Sequence, residues 1–384
     1  MILASLDYDN EIVSMLSIPR DLFVENDAVG WGTRINGIYE FILDKTDSKT
    51  QAIGILKDEV EEVLGLKIQY HAKIDFKGFV EVVDALGGIE INVEEDFYDP
   101  YYPTPDGSLT LYNPFLIEAG IQTLDGDTAL KYARSRKTSS DFDRAKRQQE
   151  ILVAMKEQAL EIGFLLNPIK LKKLYFAISE NFETDLSLSE MTYLAKIADD
   201  FNRESIIHHV ISDETYNAGG FLYTPERELY GGAFVLIPIA NNYSEIHEFA
   251  ELFLFNPEIL AFNNSISILN GTSANGLATD IKLFLNRYGF NEISSGNADS
   301  KTISTSTVYY KNSTEGSEET ATKIAEILGI QTVLEKQDPT EEVESEFIET
   351  EDIETEDIVI ELGSDFLEYY EENAKLFYSA FYYY

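Results

Sequence analysis

The stretch "MILASLDYDNEIVSMLSIPRD", Met1 to Asp21, decides how the chain is read. Ile2 to Leu6 and Ile12 to Ile18 alternate apolar and polar residues around Asp7 to Asn10, a group of turn formers, so the segment reads as a β-hairpin. The first strand starts at Met1, which reads as a fragment or as a start codon placed too late. Beyond the hairpin, "RINGIYEFILDK" and "SKTQAIGILKDEVEEVLGL" have helical spacing, whereas "IQYHAKIDF" and "GIEINVEEDF" alternate like strands. A Pro-rich loop, "YDPYYPTPDGS", precedes a turn and short helix in "AGIQTLDGDTALKYARSR". A longer helix then starts near Asp141, which can cap it, and ends at Gly163. Interleaved strands and helices over residues 1–256 predict one α/β domain of three layers, α/β/α, with a mixed sheet because a hairpin opens it.

The pattern resets near "FNPEILAFNNS", and residues 257–264 read as a linker. A smaller α/β domain follows over 265–367: strand "SISILNG", helix "GLATDIKLFLNRYGF", strand "STVYYKN", helix "SEETATKIAEILG" and strand "DIVIELGSDF". It is interrupted over 335–356 by eleven Asp or Glu and one Lys, a density of like charge that reads as a solvated loop. The tail, 368–384, holds eight aromatics in seventeen residues. It reads either as packing against the small domain or as contact with a membrane surface.

With 384 residues, 44% of them hydrophobic, the chain is long enough for two cores. A net charge of -40 argues against a nucleic-acid partner, because duplex binding requires a basic face. The absence of Cys excludes disulfides and thiolate metal sites. The four His, at 71, 208, 209 and 247, have no metal-ligand spacing and read as structural. No apolar run approaches the roughly 20 residues that span a bilayer, and no signal peptide precedes the fold.

Against this acidity, "ALKYARSRKTSSDFDRAKRQQ" carries seven Lys and Arg, and four of the nine Arg of the whole chain. The planar guanidinium fork suits phosphate and carboxylate oxygens. Arg144, Arg147 and Gln148 stand at i, i+3 and i+4 in the first turns of the predicted helix, on one face. Cations there oppose the helix dipole unless an anion lies between them and the free N–H groups. The cluster therefore reads either as a solvated helix face or as a phosphate site. Arg134 and Arg136 point the same way if their segment is extended. Arg20, after a strand end, and Arg34, at the start of a helix, fall where loops of α/β sheets build sites.

"SIPRD", "RINGIYEF", "FKGFVEVVDALGGIEINV", "LDGDTALKYARSR" and "DFDRAKRQQ", in this order, resemble the LytR-CpsA-Psr family, and "ISILNGTSANGLA" with "DIVIELGSDF" resembles the LytR C-terminal domain. The resemblance covers nearly all of the chain. It implies a bacterial cell-envelope enzyme that moves a glycopolymer from a polyprenyl-pyrophosphate carrier to a peptidoglycan hydroxyl, with Mg2+ assisting. By motif it implies that Arg20, Arg134, Arg136, Arg144 and Gln148 contact the pyrophosphate, with Arg147 beside them and Arg34 where the family usually has Lys. The leading reading makes Arg20, Arg134 and Arg136 catalytic and Arg34, Arg144, Arg147 and Gln148 pyrophosphate-binding. Asp21 and Asp141 are candidates for structural or metal support. The family's metal-binding carboxylates, and its membrane helix, are expected upstream of Met1, and the work is expected at the extracytoplasmic face of the plasma membrane. Two alternatives stay open: a non-catalytic binder of lipid-linked pyrophosphate, and a transcriptional attenuator, against which the net charge weighs.

Overall fold

The structure, a computed structural model, describes residues 1–104, 112–135, 141–163, 167–336 and 356–377. Arg136, most of the acidic 335–356 segment and the end of the aromatic tail lie outside them, as does the side chain of Asp141. The strands are β1 (Ile2–Asp7), β2 (Ile12–Ser17), β3 (Phe23–Asn26), β4 (Trp31–Arg34), β5 (Ala72–Ile74), β6 (Ile89–Val93), β7 (Phe97–Asp99), β8 (Phe115–Ile117), β9 (Gly120–Leu124), β10 (Phe182–Thr184), β11 (Ile206–Val210), β12 (Leu222–Tyr223), β13 (Ile237–Pro238), β14 (Ile266–Asn270), β15 (Ile293–Asn297), β16 (Thr307–Tyr310), β17 (Val333–Glu335) and β18 (Ile358–Leu362). The helices are α1 (Ile38–Thr46), α2 (Lys49–Leu64), α3 (Phe76–Ala85), α4 (Gly126–Arg134), α5 (Asp141–Glu161), α6 (Pro168–Ile178), α7 (Leu188–Ile197), α8 (Ser244–Phe255), α9 (Pro257–Ala261), α10 (Leu277–Arg287), α11 (Ser317–Leu328), α12 (Asp365–Glu372) and α13 (Ala374–Phe377). Two compact units result: Met1–Pro19 with Lys67–Val210, and Arg20–Leu66 with Ile211–Tyr384.

In the first unit the opening hairpin forms as its sequence predicts. β1 and β2 pair antiparallel from Ile2↔Ser17 to Asp7↔Ile12. The Asp7 carboxylate closes the turn by accepting from the Asp9 and Asn10 amides at 3.1 and 3.0 Å. β11 joins β2 in parallel, so the three-stranded sheet β1-β2-β11 is mixed. The core of this unit lies elsewhere, among α3, α4, α5 and the ribbons β6-β9 and β7-β8, around Val83, Ile89, Ile91, Phe97, Phe115, Tyr132 and Ile151. Asp125 caps α4 by accepting from the Thr128 amide at 2.8 Å. Gly126 lets α4 approach α3, since a Cβ at that position would meet the Val80 carbonyl oxygen at 2.5 Å. β9 was not expected, because "GIQTL" lies inside a segment whose turn residues dominate the reading.

The second unit departs from the linear division at residue 256. Arg20–Leu66 and Ile211–Phe255 belong to the same compact unit as the C-terminal domain. The joint is a buried ion pair: Arg287 of α10 lies 3.1 Å from Glu245 of α8, with side chains 1% and 5% exposed. Phe221 and Tyr288 meet edge to face beside it, with ring centres 5.2 Å apart. Residues 257–264, the expected linker, carry local structure of their own. Pro257 begins helix α9, and Phe262 packs over Gly316, where a Cβ would strike its ring. The C-terminal sheet has the order β15-β14-β18-β16-β17, with β16 antiparallel to β18 and the other neighbours parallel. Every residue of interior strand β14 is buried. Edge strand β15, "ISSGN", is polar and exposed after Ile293, so alternation does not announce it. The described part of the tail packs: Phe377 is buried against Phe284, Tyr369 and Tyr370.

Candidate functional site

Among the described residues, the candidate arginines fall in both units: Arg134, Arg144 and Arg147 in the first, Arg20 and Arg34 in the second. In the first unit, α4 ends at Arg134, which is helical and not in extended chain as the two-residue spacing from Arg136 suggested. Its guanidinium carbon lies 4.1 Å from the centre of the Phe76 ring and 5.9 Å from that of Tyr102, and Nη1 reaches the Tyr102 hydroxyl at 3.5 Å. Two rings therefore hold a half-exposed cation at the α4 C-terminus, where the helix dipole also favours positive charge. Burial raises the Tyr102 phenol pKa, so this partner stays neutral.

Arg147 has partners within the protein that its sequence position does not suggest. It is only 7% exposed. Nε donates to the Tyr132 carbonyl at 3.1 Å and Nη2 to the Ser135 carbonyl at 2.6 Å, while Phe97 and Tyr132 flank the guanidinium at 4.8 and 5.6 Å. Gln148 donates from Nε2 to the Ala133 carbonyl at 3.2 Å. The first turns of α5 thus cap the last carbonyls of α4, groups that no intrahelical bond satisfies. This removes the apparent conflict of cations at the start of α5. The carbonyl end of α4 accepts from Arg147 and Gln148, with the carboxylates of Asp143 and Asp99 also acting on the guanidinium, so the two side chains tie α5 to α4. Burial depresses the Arg147 pKa, with neighbouring Arg144 adding to the effect. Arg144 is half-buried.

Sequence reasoning passed over Gln149. It is fully buried and donates from Nε2 to the Met15 carbonyl at 3.2 Å, the Ser17 hydroxyl at 3.0 Å and the His209 carbonyl at 3.2 Å, pinning α5 to β2 and β11. The signal was available: Gln149 precedes buried Val153 by four residues, on the inward face. Nothing in the sequence pointed to Phe76 or Tyr102 as ring supports. Burial pushes the His209 imidazole down to about 4, so it is neutral near pH 7.

In the second unit, β3 and β4 form a hairpin whose register places Phe23 opposite Arg34. Asp21, 3% exposed, accepts from Arg20 Nε through Oδ2 and from Arg34 Nη1 through Oδ1, both at 3.1 Å. Backbone bonds from Leu236 to the Asp21 carbonyl and from Phe23 to the Leu236 carbonyl fix the segment. Of the two roles open to Asp21, the geometry matches support: both carboxylate oxygens hold guanidinium groups, and Arg20 and Arg34 stay partly exposed. The Mg2+ that the resemblance implies finds no fitting ligand set among the described residues, which contain no group of three or more His, Asp or Glu able to hold a metal.

Comparison with known proteins accords with these motifs. The chain matches the LytR_cpsA_psr family over residues 1–230 and, over residues 263–366, the domain described as LytR cell envelope-related transcriptional attenuator. It is 32% identical over 210 residues to the polyisoprenyl-teichoic acid–peptidoglycan teichoic acid transferase TagV of Bacillus subtilis, covering 54% of this chain and 49% of that protein. It is 25% identical over 358 residues to the cell wall biosynthesis protein LcpA of Corynebacterium glutamicum, covering 84% of this chain and 63% of the relative. The crystal structure of B. subtilis TagV matches 66% of this chain and 87% of its own at 27% identity, with a TM-score of 0.48. The chain spans about half the length of TagV. No helix among the described residues is long and apolar enough to cross a membrane. With a family match over well over half of its residues, the chain belongs to the LytR-CpsA-Psr family.

Proposed function

We propose that the protein transfers a glycopolymer from a polyprenyl-pyrophosphate carrier to a peptidoglycan hydroxyl, at the extracytoplasmic face of the cell envelope. The observation that carries this reading is Arg134, a half-exposed cation seated between Phe76 and Tyr102 at the end of α4, two residues before Arg136. TagV, which shares this family, bears the name of a transferase with a polyisoprenyl-linked donor and a peptidoglycan acceptor. In the proposed reaction the hydroxyl oxygen bonds to the phosphorus attached to the glycopolymer, the bridging P–O bond of the pyrophosphate breaks, polyprenyl phosphate leaves, and the hydroxyl proton passes to solvent. Phosphoryl transfer depends on positioning and on spreading charge from the phosphate oxygens, which suits arginine. Arg134, Arg136 and Arg144 are assigned to the pyrophosphate and Arg147 and Gln148 to holding α4 and α5 in place, while Arg20 and Arg34, on their Asp21 anchor, keep the roles that the family resemblance implies for them.

A second reading has a specific observation behind it. Asp21, the carboxylate that follows Arg20 in its motif, is occupied by two guanidinium groups. A chain so arranged binds lipid-linked pyrophosphate without turnover. The test is a transfer assay with a short-chain polyprenyl-pyrophosphate saccharide and peptidoglycan fragments, run beside a calorimetric titration of the same donor. Transfer that Arg134→Ala abolishes supports the enzyme. Binding that weakens in Arg134→Ala, with no transfer by the parent chain, supports the binder, and failure to bind at all refutes both.

A further inference from the structure

The C-terminal domain carries a cavity of about 510 Å3 at the carboxyl ends of parallel strands β14 and β15, remote in sequence from the candidate-site residues Arg20, Arg34, Arg134, Arg144 and Arg147. In α/β sheets this end of the strands is where loops leave room for ligands, and the volume is that of a small-molecule site. Asn270, at the end of β14, braces one wall. Its Nδ2 donates to the Ala274 carbonyl at 2.7 Å, and its Oδ1 accepts from the Thr272 amide and hydroxyl at 2.9 and 2.8 Å. Gly296, on β15, leaves the other side open, since the nearest atom to a Cβ there is Leu269 Cδ2 at 3.9 Å.

The chemistry of the lining selects a ligand class. Among the described residues, no Asp or Glu lines the cavity and Lys301 is the cation that does; Asp280, whose Oδ2 lies 3.8 Å from where a Gly276 Cβ would stand, accepts from the Tyr370 hydroxyl. The Lys301 ammonium is held in place by donating to the Asn270 carbonyl at 2.9 Å and to Asn297 Oδ1 at 2.5 Å, which uses two of its three donors. Around it stand the hydroxyls and amides of Ser273, Asn275, Thr279 and Ser295. No aromatic or large aliphatic side chain lines the walls, so nothing there would stack a nucleobase or bury an acyl chain. Helix α10 opens into the same space behind Gly276, with no side chain capping its first amides.

We infer that this cleft binds a phosphorylated sugar, the phosphate on Lys301 and the sugar hydroxyls on the Asn, Ser and Thr side chains. The inference is independent of the transferase reading, because it uses no residue of either arginine cluster. It is tested by calorimetric titration of the full chain with N-acetylglucosamine 1-phosphate, with N-acetylglucosamine and inorganic phosphate as separate probes. The sugar phosphate should bind at least about tenfold more tightly than either probe, since both halves of the cleft are used. Lys301→Ala should weaken it by about tenfold, Gly296→Val should block it, and Arg134→Ala should leave it unchanged. Should Gly296→Val unfold the domain, Thr279→Val replaces it as the cleft variant. Equal affinity for inorganic phosphate would reduce the site to an adventitious anion contact. Absence of binding at millimolar probe, retention in Lys301→Ala and the cleft variant, or loss in Arg134→Ala would each overturn the assignment.

Discussion

Removing the Arg147 guanidinium should unfold the first unit more readily, whatever its effect on activity. Two hydrogen bonds from a charged donor, to Tyr132 and Ser135, would be lost, each contributing about 1.5–3 kcal/mol. The favourable placement of a cation at the α4 C-terminus would go too, at up to about 2 kcal/mol when partly buried. Against these stands the desolvation that depresses the Arg147 pKa, which truncation relieves. The balance is a destabilisation of about 3–5 kcal/mol, the range seen when one member of a buried charged contact is removed. For a unit of this size that lowers the melting temperature by roughly 6–20 °C, at about 2–4 °C per kcal/mol. A short series resolves the terms. Arg147→Met keeps apolar packing between Phe97 and Tyr132 and loses both hydrogen bonds, whereas Arg147→Lys keeps charge without the fork that reaches both carbonyls. Urea denaturation should rank stability as wild type, then Lys, then Met, then Ala. If Arg147→Ala unfolds within about 1 kcal/mol of wild type while ligand binding collapses, the guanidinium serves the substrate and its carbonyl contacts are incidental.

Other substitutions separate further roles. Arg134→Ala should change stability by less than about 1 kcal/mol, the scale of an exposed cation–π contact, yet remove most transfer in the assay described above. Stability should fall with acidity through His209: its pKa is about 4 in the fold against an unperturbed 6.5, so the contribution is complete above pH 6.5 and is lost as pH falls toward 4. Up to about 3 kcal/mol is involved, and His209→Leu should flatten that part of a urea-stability profile; a profile unchanged by the substitution would refute the assignment. Phe377→Ala should cost about 3 kcal/mol by unpacking Phe284 and Tyr370 beside the Arg287 hydrogen bond to the Leu376 carbonyl, measured as a lower melting temperature.

Much of this protein was legible as local pattern. The β1-β2 hairpin follows from alternation and from an Asp at the head of a turn, because both act over a few residues. The helices α1, α2, α5, α10 and α11 follow from periodicity, and the family from ordered motifs. Tertiary structure alone decided which basic residues face outward. Arg134 and Arg147 have the same chemistry and lie thirteen positions apart, but one is seated half-exposed on Phe76 and the other is buried on carbonyls. No spacing rule reports this, since the partner that claims a guanidinium comes from another element: the end of α4, which only packing brings to the start of α5. The same holds for Gln149, whose three acceptors come from β2 and β11, and for the compact units, where the Glu245–Arg287 pair joins segments that composition had assigned to separate domains. Local sequence fixes the conformations that short-range sterics and hydrogen bonds can enforce, whereas burial and the pairing of charges depend on contacts made only when distant segments pack.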